Sequence, residues 1–465
     1  MSERWLPKSY QPAMVEHLLA NPEAFLFATM GTGKTVATLT AVSELILSGA
    51  SKGCLIVAPI RVISITWANQ VARWNHTRWL RIANMRDPDN WPLWENGGAD
   101  IYLINPEKLA TIERTVKRKV HRTPGFVDRF IKGRKSLPVD IFVLDESSLA
   151  KSPSGKRFNA LRPHLHTPHF KRRWGLTGTP APNSYMDLFS QVRLIDNGVR
   201  LGRSIHLYKQ TYFDSDYMGW TFEIKPGAKE RIDAKLADIA LVVDDPDQPP
   251  MRVVDVEVAL PKDAAKAYKT LEKDMLLKLE TGDVEALSAA ALVTKLLQAC
   301  AGCIYGTESE VHVVHDAKLK ALAKIRKDHP KEPLLVLTSF IHERERLLEA
   351  FPEARQFHEK DMALWQAGKI PMWVGDARSL CHGIDGLQDA GRILVWMTGT
   401  YSNEVYQQAN ARLARTGQRH ETIVYRVLAR GTIDDAVVEV LREKADQQAG
   451  LMAAVHALQA LRKSG

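Results

Sequence analysis

Short apolar runs, each closed by turn residues and followed by a helical pattern, recur along the first 180 residues. They are "AFLFA" (24–28), "CLIVAP" (54–59), "IYLIN" (101–105), "DIFVLDE" (140–146) and "RWGLTGTP" (173–180). After a gap come "PLLVLTSF" (333–340), "MWVGDA" (372–377), "RILVWMTGT" (392–400) and "TIVYRVLA" (422–429). Runs without polar alternation predict strands buried on both faces, and helical patterns between them predict parallel sheets covered on both sides. The expected class is therefore α/β, with one lobe over 1–195 and a second over 312–465. The segment 196–311 reads differently. It opens on a polar, aromatic-rich loop, passes through "VVDVEVALP" and continues as a long amphipathic pattern from Asp263 to Gln298. This predicts a helical connector or protrusion between the lobes.

A chain of 465 residues is too long for one ordinary core, which agrees with two lobes. The net charge is +9 and the pI about 9.2, a weak pointer to a polyanion. The excess is uneven: nine lysines and arginines lie between Glu113 and Ser136, readable as a DNA-facing patch or as a solvated face. No apolar run reaches the roughly eighteen residues of a membrane helix, and the N-terminus lacks a signal-peptide core. Four scattered cysteines do not make a disulfide framework, so a reducing cytosol is the expected location. Cys300, Cys303, His312 and His315 together suggest zinc. The histidines, however, fall on a predicted strand, where residues three apart point to opposite faces, and no structural metal is expected.

The chemistry begins at "ATMGTGKT" (28–35), between a predicted strand and a predicted helix. Glycines there let backbone N–H groups curl inward around phosphates, and the helix N-terminus adds its positive end. Met30, Gly31, Thr32 and Gly33 would form the cradle, Lys34 would reach the β/γ-phosphates, and Thr35 would hold Mg²⁺. The strict pattern has glycine where Ala28 stands. A magnesium site also needs a carboxylate at a neighbouring strand end, and "IFVLDESS" supplies Asp145 for the metal and Glu146 for the attacking water. These residues predict a nucleoside triphosphatase using Mg²⁺.

Further motifs stand in a telling order. "KSYQPAMVEHL" resembles a Q-motif with Gln11 at the adenine, "LIVAPIRVISITWANQVARW" a motif Ia, and "LINPEKL" the nucleic-acid-contact segment after it. "GLTGTPAPNSYMDLFSQVRLI" resembles motif III, "LLVLTSFIHERERL" motif IV, "CHGIDGLQDAGRILVW" motif V and "QQANARLARTGQ" motif VI. Together they resemble the superfamily-two helicase/translocase core, within it the Swi/Snf-like branch, of the compact type encoded by tailed phages. Motif II departs from the branch, reading Asp-Glu-Ser-Ser instead of Asp-Glu-Ala-His.

The resemblance implies two RecA-like lobes with ATP in the cleft between them. Gly383 and Asp385 would meet the ribose and phosphates, Gln408 would lie at the cleft face, and Arg412 and Arg415, on an apparent helix, would reach the γ-phosphate. Thr177, Gly178 and Thr179 would couple the nucleotide to the nucleic acid. Candidate phosphate contacts on the track are Arg61 and Lys108, each opening a helix, with Ser339, His342 and His382. Trp67, Trp74 and Trp174 read as packing. The expected protein is a monomeric DNA translocase acting on duplex or forked DNA, with possible replication or recombination partners. A strand-separating DNA or RNA helicase, and an ATP-gated binding switch without processive movement, remain alternatives.

Overall fold

The computed structural model describes residues 3–116, 119–181, 184–215, 222–246, 249–280, 286–306, 310–380, 384, 386–415 and 417–443. The chain divides into two compact units, Met1–Pro246 and Asp247–Gly465.

The strands of the first unit are β1 (Glu23–Ala28), β2 (Cys54–Val57), β3 (Ile82–Asn84), β4 (Ile101–Ile104), β5 (Ile112–Val116), β6 (Lys119–Thr123), β7 (Ile141–Asp145), β8 (Arg172–Thr177), β9 (Phe213–Ser215), β10 (Phe222–Ile224) and β11 (Ala240–Val243). Seven of them form one sheet in the order β11-β1-β8-β7-β2-β4-β3, every pair parallel. Its apolar runs are buried on both faces, as unbroken hydrophobicity requires. In β7, Ile141 and Val143 join one core while Phe142 and Leu144 join the other. Strands β5 and β6 pair only with each other, as an antiparallel ribbon that carries the start of the basic tract.

The second unit holds β12 (Met251–Val258), β13 (Cys303–Tyr305), β14 (Val311–Val313), β15 (Leu334–Thr338), β16 (Ala354–Gln356), β17 (Met372–Asp376), β18 (Ile393–Trp396) and β19 (Thr422–Ala429). Its parallel sheet runs β12-β19-β18-β15-β17-β16. Leu335 and Leu337 face one core of this unit, Leu334 and Val336 the other. The division at 246/247 falls inside the stretch expected as a connector. Its first part adds β11 to the first sheet and "VVDVEVALP" supplies β12 to the second, alongside β19. A parallel edge strand with only partial alternation carries no sign in sequence of the sheet it will join.

Candidate nucleotide site

In the first unit, β1 runs into a loop that ends at the helix Lys34–Leu47. Gly31 and Gly33 have φ of +89° and +84°, the left-handed region that side chains avoid. A Cβ on Gly33 would also lie 2.4 Å from Gln11 Nε2. Gln11 supports the loop from beneath: its Nε2 donates to Thr32 O at 2.9 Å, and its Oε1 accepts from Lys8 N at 2.9 Å. The Thr32 hydroxyl donates to Thr29 O, tightening the same turn. Lys34 Nζ donates to the carbonyls of Ala28 (2.6 Å) and Thr29 (3.2 Å), so its ammonium is held at the loop. Met30 and Thr35 are half-buried beside it. Lys8 pairs with the buried Asp245 at 3.3 Å, and Asp245 N donates to Thr29 Oγ1, fastening the loop to the end of β11.

Motif II sits at the end of β7. Burial pushes the Asp145 carboxyl above the usual range, against the lowering effects of a Trp67 hydrogen bond and the Lys34 charge. Trp67 Nε1 donates to Asp145 Oδ2 at 2.8 Å. Glu146 is a non-glycine residue at φ +61°, ψ +68°, a conformation that costs energy and is held only where surroundings fix it. Thr177 Oγ1 (2.7 Å) and Ser148 Oγ (3.0 Å) both donate to its Oε1. Thr177 Oγ1 in turn accepts from Thr179 N. A Cβ on Gly178 would stand 3.3 Å from Met30 Cγ and 3.7 Å from Lys34 Nζ, so motif III passes directly over the glycine loop.

The two serines of the unusual motif II have clear work. Buried Ser147 donates to Gln191 Oε1 at 2.6 Å, and Gln191 Nε2 donates to the carbonyls of Pro180 and Asp187. Motif II is thereby tied to the motif III loop by a serine–glutamine pair 44 positions apart. The sequence did not point to Gln191, Lys8 or Asp245, and Trp67, packed in the core as expected, also bonds Asp145, which was not foreseen. A buried Trp carries an N–H that needs an acceptor, which was the available signal.

In the second unit, Arg412 and Arg415 do not lie on a helix. The helix Asn403–Asn410 ends before them, and a turn follows, with Arg412 N donating to Ala409 O and Leu413 N to Asn410 O. Arg412 Nη1 donates to Ile384 O at 3.1 Å. Gln408 is fully buried, its Oε1 without a hydrogen-bond partner among the described residues, rather than offered at a surface. His382, Gly383 and Asp385 lie outside the described residues.

Of the expected track residues, Lys108 and Ser339 are exposed and Arg61 is half-buried. Arg61 precedes the π-helical turn Val62–Trp67, which continues as the helix Ala68–Arg73. Lys108 ends a three-residue 3-10 turn, too short to provide a helix terminus. His342 requires correction as a contact. It is 1% exposed, its ring stacked 5.3 Å from Phe340 and edge-on to Tyr305, and burial depresses its pKa to about 4. A neutral, enclosed imidazole does not grip phosphate.

Within the basic tract, Arg122 lies 3.7 Å from both Glu113 and Asp128, and Arg134 forks onto Glu95. Around the four residues weighed for zinc, Cys300 Sγ meets Thr432 Oγ1, His315 Nε2 meets Ala299 O, and exposed His312 pairs with Glu310. No group of three or more metal-ligating side chains gathers among the described residues, and none of the described helices is long and apolar enough to cross a membrane.

Residues 10–303 match the family described as the SNF2-related domain. Protein p41 of Acyrthosiphon pisum secondary endosymbiont phage 1 is 33% identical over 458 residues, covering 93% of this chain and 95% of that protein. The bifunctional helicase and thymine dioxygenase JBP2 of Trypanosoma brucei brucei is 26% identical over 180 residues, 37% of this chain and 15% of that protein. Among solved structures, the Sulfolobus solfataricus SWI2/SNF2 ATPase core in complex with dsDNA is 18% identical, covers 99% of this chain and 97% of that one, and has a TM-score of 0.46.

Proposed function

Since the chain belongs to the SNF2-related, Swi/Snf branch of superfamily-two ATPases and is a nucleic-acid-dependent ATPase, we propose that it spends ATP to translocate on duplex or forked DNA and remodel it. The observation that carries this reading is Glu146, strained and clamped by Thr177 and Ser148 beside the glycine loop. A protein that only binds nucleotide has no need of a carboxylate held at such a cost. The clamp also supports coupling, because the group holding Glu146 belongs to motif III.

In this reading Gly31, Thr32, Gly33 and Lys34 bind the phosphates, and Glu146 orients water and accepts its proton. The donor set proposed for the metal fits magnesium: the Thr35 hydroxyl and the Asp145 carboxylate are hard oxygen ligands. Magnesium would neutralise phosphate charge when bound with ATP. Arg412 and Arg415 are proposed to stabilise the transferring phosphoryl group, a role worth about 10³–10⁵ in rate. Thr177, Gly178 and Thr179 would carry the coupling. Arg61, Lys108 and Ser339 would contact phosphates of the track, binding without reading bases.

Steady-state ATPase measured with single-stranded DNA, duplex DNA, forks and RNA tests the proposal, together with displacement of a triplex strand. Stimulation by duplex or forked DNA and triplex displacement are expected. Turnover indifferent to DNA would overturn the motor. Robust unwinding of a plain duplex would turn the reading toward a strand-separating helicase.

A further inference from the structure

The indole of Trp67 joins motif Ia to motif II across 78 positions of sequence. We propose that Trp67 is a positioning residue for the magnesium-holding carboxylate, its N–H fixing the orientation of Asp145; this rests on the reading of Asp145 given above.

Three observations carry it. The bond is direct, 2.8 Å from Nε1 to Oδ2, and Trp67 is fully buried, so the indole N–H has no water to turn to in place of the half-buried carboxylate. A carboxylate pinned at one oxygen no longer spins about its Cβ–Cγ bond, and the second oxygen is presented in one direction. The donor is also neutral. A lysine or arginine there would orient the carboxylate equally well but would repel a divalent cation, whereas an N–H dipole holds the ionised form without opposing charge.

The third observation is the backbone. Trp67 closes the π-helical turn Val62–Trp67, a rare geometry that is frequent at functional sites. Trp67 is the last residue of that turn, and the helix Ala68–Arg73 follows it directly. The same turn begins directly after Arg61, a proposed DNA contact, so the element that holds Asp145 starts on the track. Trp174 is the counter-example within this unit. It is equally buried, but its indole donates to the backbone carbonyl of Asn21 at 3.1 Å, as a core tryptophan does.

Partners that orient a metal ligand are worth about 10–100-fold in metal affinity or activity when removed. In the full chain, Trp67→Phe keeps the ring and loses the donor. The Mg²⁺ concentration for half-maximal ATPase should rise about tenfold or more, with nucleotide affinity in EDTA unchanged. Trp174→Phe should leave the Mg²⁺ dependence at its wild-type value. A readout without turnover uses protein labelled with ¹⁵N-tryptophan, whose eleven tryptophans each give one indole N–H resonance. The resonance absent from Trp67→Phe should be the one that Asp145→Asn shifts most.

Wild-type Mg²⁺ dependence in Trp67→Phe, or an equal rise in Trp174→Phe, overturns the proposal. Should Trp67→Phe fail to fold, the Asp145→Asn spectrum decides: one strongly shifted indole supports the contact, and none overturns it. If Asp145→Asn itself keeps normal Mg²⁺ dependence, the reading of Asp145 falls and this inference with it. A loss confined to Asp145→Asn removes only the role of Trp67.

Discussion

The glycine-loop region of the first unit and the motif VI region of the second spend their buried polar groups differently. In the first, polar partners cluster on the chemistry: Lys34 on the loop carbonyls, Thr177 and Ser148 on Glu146, Trp67 on Asp145. In the second, the deepest polar contacts lie at strand ends. Lys318 Nζ pairs with Asp434 at 2.7 Å, both almost fully enclosed, and also donates to Met397 O after β18. Burial favours the neutral amine, yet the Asp434 carboxylate holds the Lys318 pKa above its ordinary value. Glu343 is equally enclosed, accepting from Thr398 Oγ1 and Ser339 N. Motif VI, by contrast, sets its arginines on a turn after a helix end. The lesson is that the first unit holds the groups proposed to react in place in advance, while the second uses buried charge to fix the ends of β15, β18 and β19.

That contrast can be broken by substitution. Arg415→Ala should lower turnover by about 10³-fold or more while ATP affinity stays within a few-fold, measured by nucleotide binding beside ATPase. A large loss of binding would mean that motif VI also builds the ground-state site. Glu146→Gln should cost about 10²–10⁴ in kcat with ATP binding kept; wild-type hydrolysis would remove the proposed base. Lys34→Ala should stop turnover and weaken nucleotide binding together, because it takes charge from both ground and transition states.

Smaller effects sharpen the comparison. Lys318→Met leaves Asp434 buried without its cation and should destabilise the second unit by about 3–5 kcal/mol, read as an earlier urea transition. A loss of kcat at unchanged stability would put this pair in the chemistry and erase the contrast. Thr177→Val removes a donor to Glu146 and should lower kcat about tenfold, near 1.4 kcal/mol, with little change in melting temperature. Ser147→Ala removes the donor to Gln191 Oε1 while Nε2 keeps its two carbonyls, and should reduce DNA stimulation of ATPase more than basal turnover.

Much of this was legible in the chain. Unbroken apolar runs announced the inner strands of both sheets but not the edge strands β3, β11, β12 and β16, since a strand flanked on both sides and covered on both faces needs no polar alternation. Gly31, Gly33 and Lys34 announced the phosphate loop, since positive φ beside a helix start demands glycine. Asp145 and Glu146 followed from their place at a strand end. These signals are local, fixed by a few consecutive residues.

Tertiary structure decided the rest. It gave Trp67, packed in the core as expected, a partner in Asp145, enclosed His342, and gave Ser147 its glutamine 44 positions away. It ended the motif VI helix before its arginines and divided 196–311 between the two units. Hydrophobic periodicity and turn chemistry act over one or two turns of chain, and sequence alone determines what they govern. A hydrogen bond across 44 or 78 residues depends on which loops close and which faces meet, and those are properties of the packed fold.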